Sequence, residues 1–340
     1  MPNLTLEDIA KEAKVSRSTV SRVVNNLSNV SEDVRKRVLD VIQETGYHPH
    51  PAARALASHR SWTIGFIIPH SVSFFFTDPY YTYLTKGIAQ ACNQNGYTLA
   101  LFLADVKEDE EKIASRVARK GFLDGVLIQS GSFGDDVIID RIIEAEMPLV
   151  VCGRPFRPAN VSYIDIDNVI SVYNAMTYLI RLGRKRIGTI TGPLSSTVGI
   201  DRLEGYRKAL LERGLPVEDC LIAEGDFTEN GGYYGTQKIL PHNPDAIFAA
   251  SDVTARGVMR AVHEAGLNVP EDIAIIGFDD LPNIAFTESQ LTTVRQPIGP
   301  FGVRAVETLI DLIENGINPP RRIIMDTELV VRGSSGVSLR

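Results

Sequence analysis

The chain reads as a small all-α helix-turn-helix head joined to an α/β core of two parallel-sheet lobes. Three observations carry this. Apolar residues recur three and four apart between Leu6 and Ile42. A stretch rich in Pro, Ala, Ser and His runs from His48 to Ser61. From Trp62 onward short buried runs alternate with amphipathic stretches, and that grammar restarts at Arg186.

The head opens with Thr5 three residues ahead of Asp8, a capping-box spacing that starts a helix with acid in its first turn. Leu6, Ile9, Ala10 and Ala13 fall on one face of it. After a break at Lys14-Val15, Ser16 can cap a second helix whose Val20, Val23 and Val24 point inward. The opposite face carries Arg17, Ser18, Ser21, Arg22 and Asn25. Arginine forks the O6/N7 edge of guanine, while Ser and Asn satisfy phosphates or bases, so this face suits a DNA groove. Ser31-Glu-Asp-Val-Arg-Lys-Arg37 starts a third helix, and its Val34, Val38, Val41 and Ile42 can close a three-helix core.

In the connecting stretch, Pro51 fits the first position of a short helix through Ala52, Ala53, Ala55 and Ala57. About two turns are not stable alone, so this segment needs a partner. With Tyr47-His-Pro-His-Pro-Ala-Ala-Arg-Ala-Leu-Ala-Ser58 in view, the chain resembles the lactose/galactose-repressor (LacI/GalR) family of bacterial transcription regulators over nearly all its length. The resemblance implies a periplasmic-binding-protein-like core. It also implies hinge helices that pair in the minor groove at the operator's centre, with Leu56 as the wedge between base steps. The DNA-facing set it implies is Thr5, Leu6, Ser16, Arg17, Ser18, Thr19, Ser21, Arg22, Asn25, Ser31, His50, Ala53 and Leu56. Two residues depart from the family pattern. Lys14 stands where a glycine is common, at a turn position that favours left-handed backbone, and His50 stands where the hinge usually begins with asparagine.

Composition bounds the rest. At 340 residues, with 44% hydrophobic and 23% charged residues, this is ordinary globular material for two or three domains. Cys92, Cys152 and Cys220 are scattered and lack metal spacing, which suits a reduced compartment. With neither a leader nor an apolar run of membrane-spanning length, the expected location is the cytoplasm. Nine bases and seven acids through Arg60 give the head +2 and, against −7 for the chain, leave −9 on the remainder. That asymmetry fits a DNA-binding head on an acidic sensor. The expected domains are 1–48, a hinge at 49–61, and a core at 62–340. The core's first lobe is expected at about 62–161 plus 297–325, its second at 162–296 plus 326–340.

In the core, Thr63–Ile68, Leu99–Leu103, Gly125–Ile128 and Leu149–Cys152 read as strands, with helices near Tyr80–Asn95, Glu108–Lys120 and Asp135–Glu144. Strands follow at Arg186–Thr191, Asp245–Ala250 and Ile273–Gly277, then a helix at Phe301–Asn315 and a last strand at Leu329–Arg332. Open α/β sheets bind ligands beyond the carboxyl ends of their strands, so the cleft between lobes is the expected pocket. Acids, one arginine and aromatics at those ends suit a neutral polyhydroxyl ligand. The expected effector-binding residues are Phe76, Asp78, Tyr80, Tyr81, Arg202, Phe227, Ser251 and Asp279. The resemblance places Arg202, Phe227 and Asp279 at the family's effector-contacting arginine, stacking aromatic and hydroxyl-binding aspartate, while Ser251 replaces a common asparagine. Asp252 and Asp280 read as helix caps and Phe74–Phe76 equally as lobe core. Asp165 and Asp167 read as caps or loop braces, and Arg202 could be a structural ion pair.

None of His48, His50, His59, His70, His242 and His263 has metal spacing or a companion nucleophile, and Gly131-Ser-Phe-Gly134 lacks the third glycine of a dinucleotide loop. Neither enzyme nor cofactor is expected. The expectation is a repressor, a homodimer on a palindromic double-stranded operator, released by a di- or oligosaccharide such as an α-glucoside. A nucleobase co-repressor that tightens binding is the rival within the class. A sugar-binding transport receptor is the rival outside it, and a sugar-modifying enzyme the third option.

Overall fold

The computed structural model describes residues 4–24, 29–47, 60–104, 107–119, 121–130, 137–158, 160–282 and 290–336. The chain forms two compact units, one of Met1–Thr63 with Arg119–Asp124 and one of Ile64–Ala118 with Gly125–Arg340.

The first unit contains α1 (Leu6–Glu12), α2 (Arg17–Val24) and α3 (Glu32–Thr45). Thr5 caps α1 reciprocally: its N–H donates to Asp8 Oδ2 at 2.9 Å and its Oγ1 accepts from Asp8 N at 3.4 Å. The Thr5 hydrogen bonds hold the Asp8 carboxyl below its usual range. Lys14 takes a φ of +54°, and Val15 N–H closes on Ala10 O at 3.0 Å. The turn therefore has the left-handed residue that glycine usually supplies, and lysine there costs about 1–2 kcal/mol. Ser16 Oγ accepts from Thr19 N at 3.1 Å and so caps α2. Ile9, Ala10, Ala13, Val20, Val23, Val38, Val41 and Tyr47 form the buried core of the three helices.

The second unit holds two six-stranded sheets. In the first, β1 (Thr63–Ile68), β2 (Thr98–Leu103), β3 (Gly125–Gln129), β4 (Leu149–Cys152), β5 (Ser162–Ile166) and β11 (Arg322–Met325) lie in the order β11-β5-β4-β3-β1-β2. In the second, β6 (Ile187–Thr191), β7 (Ile222–Glu224), β8 (Ala246–Ala249), β9 (Ala274–Asp279), β10 (Thr292–Arg295) and β12 (Glu328–Val330) lie in the order β12-β10-β9-β8-β6-β7. The β10–β12 pair is antiparallel, while β6, β7, β8, β9 and β10 run parallel. The middle strands are buried along their length, as parallel strands covered on both faces must be.

The helices that matter for the site are α4 (Val72–Thr77), α5 (Pro79–Gln94), α8 (Asn168–Arg181), α9 (Thr197–Glu212), α10 (Glu229–Ile239) and α11 (Asp252–Glu264). The intervening α6 (Lys107–Val117) and α7 (Val137–Glu144) belong to the first lobe, and α12 (Ile298–Asn315) returns to pack on α5. That packing is close: a Cβ at Gly302 would lie 2.6 Å from Leu84 O.

The first lobe crossing comes later than expected. Ser162–Ile166 pairs with β4 and β11 in the first sheet, so the chain leaves that lobe after residue 166 and not at 161. The alternating Ser-Tyr-Ile-Asp-Ile run is readable as a strand, but only its neighbours assign it to a sheet. The chain passes between the two sheets again after β10 and between β11 and β12.

Candidate functional site

The strand ends and helix starts of both lobes converge on one cleft. Its walls include His70 after β1, Gln129 and Ser130 at β3, Asp165 at β5, Ser251 after β8 and Asp279 at β9. Phe74, Asp78, Tyr80, Tyr81, Asn168, Arg202, Phe227, Gln296 and Phe301 complete most of the remaining surface.

Arg202 on α9 is held on several sides. Its Nε donates to Asn168 Oδ1 at 2.9 Å, Nη1 donates to Ala250 O, and the guanidinium stacks 3.6 Å from the centre of the Phe278 ring. Asp279 Oδ1 lies 4.0 Å from Arg202 Nη1 and accepts Gln296 Nε2 at 2.5 Å. Burial lowers the Arg202 pKa and raises the Asp279 carboxyl well above its usual range, each against the pull of the other's charge. Asp279 sits at φ +116°, in backbone that disfavours side chains, and such strain concentrates at ligand-facing positions.

Phe227 reaches the cleft from the turn before α10 at φ +63°. Its ring lies on Gly192, where a Cβ would overlap the ring edge. Opposite, Asp78 caps α5 by accepting Tyr80 N–H at 2.9 Å, and burial pushes its carboxyl up to about 6. Burial also raises the Tyr80 and Tyr81 hydroxyls above the usual tyrosine range and lowers His70 to about 4. Ser251 caps α11, accepting Thr254 N–H at 3.1 Å.

Several residues stand apart from expectation. Phe76 is 74% exposed and does not line the cleft; Phe74 does, stacked 4.5 Å from His70. Two residues along a helix turn the side chain by about 200°, so only one of this pair can face inward. Asp280 caps no helix among the described residues. Although burial acts to raise its pKa, hydrogen bonds from Arg332 (2.6 Å) and Arg295 (2.7 Å) hold it below the usual range. Asp252 is the first residue of α11 rather than its cap; it accepts Leu281 N–H at 2.9 Å and Thr293 Oγ1–H at 2.6 Å. Asp165 braces its loop through Arg154 N–H (3.1 Å) and Ile166 N–H (2.8 Å), but it also faces the cleft, and burial lifts it to about 7. Asp167, by contrast, takes one of the roles read for it and caps α8, accepting Ile170 N–H at 2.8 Å.

Gln129 was missed by sequence reasoning. Its Oε1 is buried without a hydrogen-bond partner among the described residues, so the cleft keeps one acceptor for a donor from outside. Its place at the carboxyl end of a buried strand was the only available signal.

In the head, Thr5, Ser16, Arg17, Ser18, Arg22 and Ser31 are exposed, Thr19 and Ser21 partly so, and Leu6 packs on the helical core. Ser31 precedes α3 and makes no side-chain cap bond. Arg17 pairs with Glu7 at 3.2 Å, both side chains more than half exposed, so little energy holds it from a groove. Asn25, His50, Ala53 and Leu56 lie outside the described residues. Among the described residues no cluster of His, Cys, Asp or Glu is placed to hold a metal, and no helix is long and apolar enough to cross a membrane.

The family described as bacterial regulatory proteins, lacI family, matches residues 5–50, and the periplasmic binding protein-like domain matches residues 176–335. The HTH-type transcriptional regulator CelR of Thermobifida fusca is 36% identical over 334 residues, covering 97% of this chain and 98% of its own. A solved CelR–cellobiose complex superposes with a TM-score of 0.77 at 34% identity, over 97% of this chain and 99% of the other. The lac repressor dimer bound to operator and the anti-inducer ONPF superposes with a TM-score of 0.82 at 26% identity, over 98% and 99%.

Proposed function

The chain belongs to the lacI family of bacterial regulatory proteins, a DNA-binding transcriptional regulator by that membership, and we propose that it represses as a homodimer answering to an uncharged sugar. Each head reads one half-site through α2, and the segment at 49–61 joins it to the core at 62–340. The expected effector residues, with Phe76 replaced by Phe74 and with Gln129 added, form the sugar site. The protein acts in the cytoplasm and binds its sugar without transforming it, in keeping with relatives that are regulators.

The observation that carries the effector class is the charge and shape of the cleft. Asp78, Asp165 and Asp279 face it, while its arginine is already engaged by Asn168, Ala250 O and the Phe278 face. A phosphorylated or carboxylated ligand would meet three acidic groups, and among the described residues the one arginine lining the cleft already has these partners. A neutral polyol instead finds acceptors for its hydroxyls and rings at Phe74 and Phe227 for its apolar face. Similarity to the cellobiose complex makes a β-linked glucose disaccharide the first candidate, ahead of the α-glucoside expected from sequence. Binding favours the form that holds DNA poorly, so the sugar shifts the population toward release.

A thermal-shift screen of the full-length protein with cellobiose, maltose, glucose 6-phosphate and hypoxanthine tests this. A neutral disaccharide should raise the melting point by mass action and weaken operator binding. A response confined to the phosphate or the nucleobase would replace this reading with the corresponding alternative.

A further inference from the structure

The residues that lead into β1 are held by one carboxylate. Asp124 Oδ1 accepts the Ser61 N–H at 2.6 Å and the Ser61 Oγ–H at 2.9 Å, and Oδ2 accepts the Trp62 N–H at 2.9 Å. The Asp124 N–H donates back to Thr63 O at 2.9 Å. Trp62 takes a φ of +54°, a left-handed kink that an L residue adopts only when its surroundings impose it. Asp124 immediately precedes β3, and β1 and β3 run side by side from Ile64↔Gly125. At their far ends these strands deliver His70 and Gln129 to the cleft. Asp124 itself lines no part of the cleft and does not lie on the reading face of α2.

We infer that Asp124 is a positioning residue that couples the cleft to the DNA-binding head, by fixing the exit of the connecting segment to the start of β3. The inference rests on the regulatory reading above and deepens it. A covalent link alone leaves the backbone torsions of residues 61 and 62 free, so a shift of the strands would be absorbed by rotation there. Three charge-assisted hydrogen bonds to one side chain remove that freedom, and a displacement of β3 then reorients residue 61 directly. Because one carboxylate bridges two consecutive amides, loss of either oxygen frees the joint.

The test uses the full-length protein, a duplex recovered by in vitro selection with the wild type, and cellobiose as the sugar probe. Asp124→Asn keeps one acceptor and turns the other into a donor. Amide exchange at Ser61 and Trp62 should accelerate, and operator affinity without sugar should fall about tenfold, the scale of losing hydrogen bonds to a charged group. The ratio of operator affinities with and without cellobiose should shrink toward one, while cellobiose affinity by calorimetry stays within about twofold, as for an independent distant site. Unchanged operator affinity and ratio despite unprotected amides would overturn the inference, and so would a lower melting point with the ratio intact. If Asp124→Asn does not fold, Ser61→Ala removes a single bond: a partial fall in the ratio supports the coupling, and no fall overturns it. Failure of cellobiose to bind the wild type would count against the effector reading alone, and the ratio would then be measured with whichever of maltose, glucose 6-phosphate or hypoxanthine raises the wild type's melting point, with the same outcomes.

Discussion

Arg154 and Asp201 join the two lobes by a two-point ion pair, Nη2 to Oδ1 at 2.6 Å and Nε to Oδ2 at 3.0 Å. Arg154 follows β4 in the first lobe, and Asp201 stands on α9 beside Arg202 in the second. The pair is supported by Thr197 Oγ1, which donates to Arg154 O at 2.6 Å from the same helix as Asp201. The hydrogen bonds from Arg154 to Asp201 raise the arginine's pKa. It favours one lobe angle over others. Asp201→Asn should weaken sugar binding by about 3- to 10-fold, the effect of reducing the competent population, with little loss of melting temperature. Calorimetric titration with small-angle scattering checks both the affinity and the angle.

Gly192 exists in its form because of Phe227. Gly192→Ala would push the Phe227 ring from the cleft wall, since the added methyl overlaps the ring edge. Sugar affinity should fall at least about tenfold, with an overpacking cost of about 1–3 kcal/mol in stability. Operator binding without sugar should persist. Parallel titrations with sugar and with DNA separate the two effects.

Stability should rise as pH falls from 8 to 6.5. Burial raises Asp165 and Asp252 to about 7, so the folded protein takes up protons in this window that the unfolded chain, with carboxyls near 3.8, does not. The stabilisation from neutral carboxyls is complete below the unfolded pKa and is lost as pH rises through about 7. His70, lowered to about 4 by burial, acts with the opposite sign below 6.5, where the unfolded histidine takes up the proton. Scanning calorimetry across the window should show a rising melting point on acidification, and Asp165→Asn should flatten the slope.

Arg17→Ala should relax base preference at one or two positions of each half-site, a loss of about 1–3 kcal/mol of discrimination. Ser21→Ala should weaken all sequences alike. Binding to a half-site library distinguishes them; equal loss across the library for both would contradict the assignment.

Lys14→Gly should stabilise the head by up to about 1–2 kcal/mol, because φ +54° carries no Cβ penalty for glycine. Denaturant unfolding of the full-length protein, followed at the first transition, measures it.

Local chemistry was legible in the chain. The Thr5–Asp8 box, the Ser16 cap and the inward valines of α2 depend on neighbours three or four residues away, so spacing alone announces them. The same holds for β1 and β4, whose unbroken apolar runs have few alternatives to a buried parallel strand. Strand-end polar residues could be named, because sheet topology sends them toward ligand whatever the packing. Tertiary structure alone decided which of Phe74 and Phe76 turns inward, that Ser162–Ile166 joins the first sheet, that Asp280 answers to Arg295 and Arg332, and that Gln129 keeps an acceptor bare among the described residues. Each depends on a partner tens to more than a hundred residues away, or on the outside of a single helical turn. Periodicity records how a segment divides apolar from polar, and it carries no information about which distant surface that division will meet.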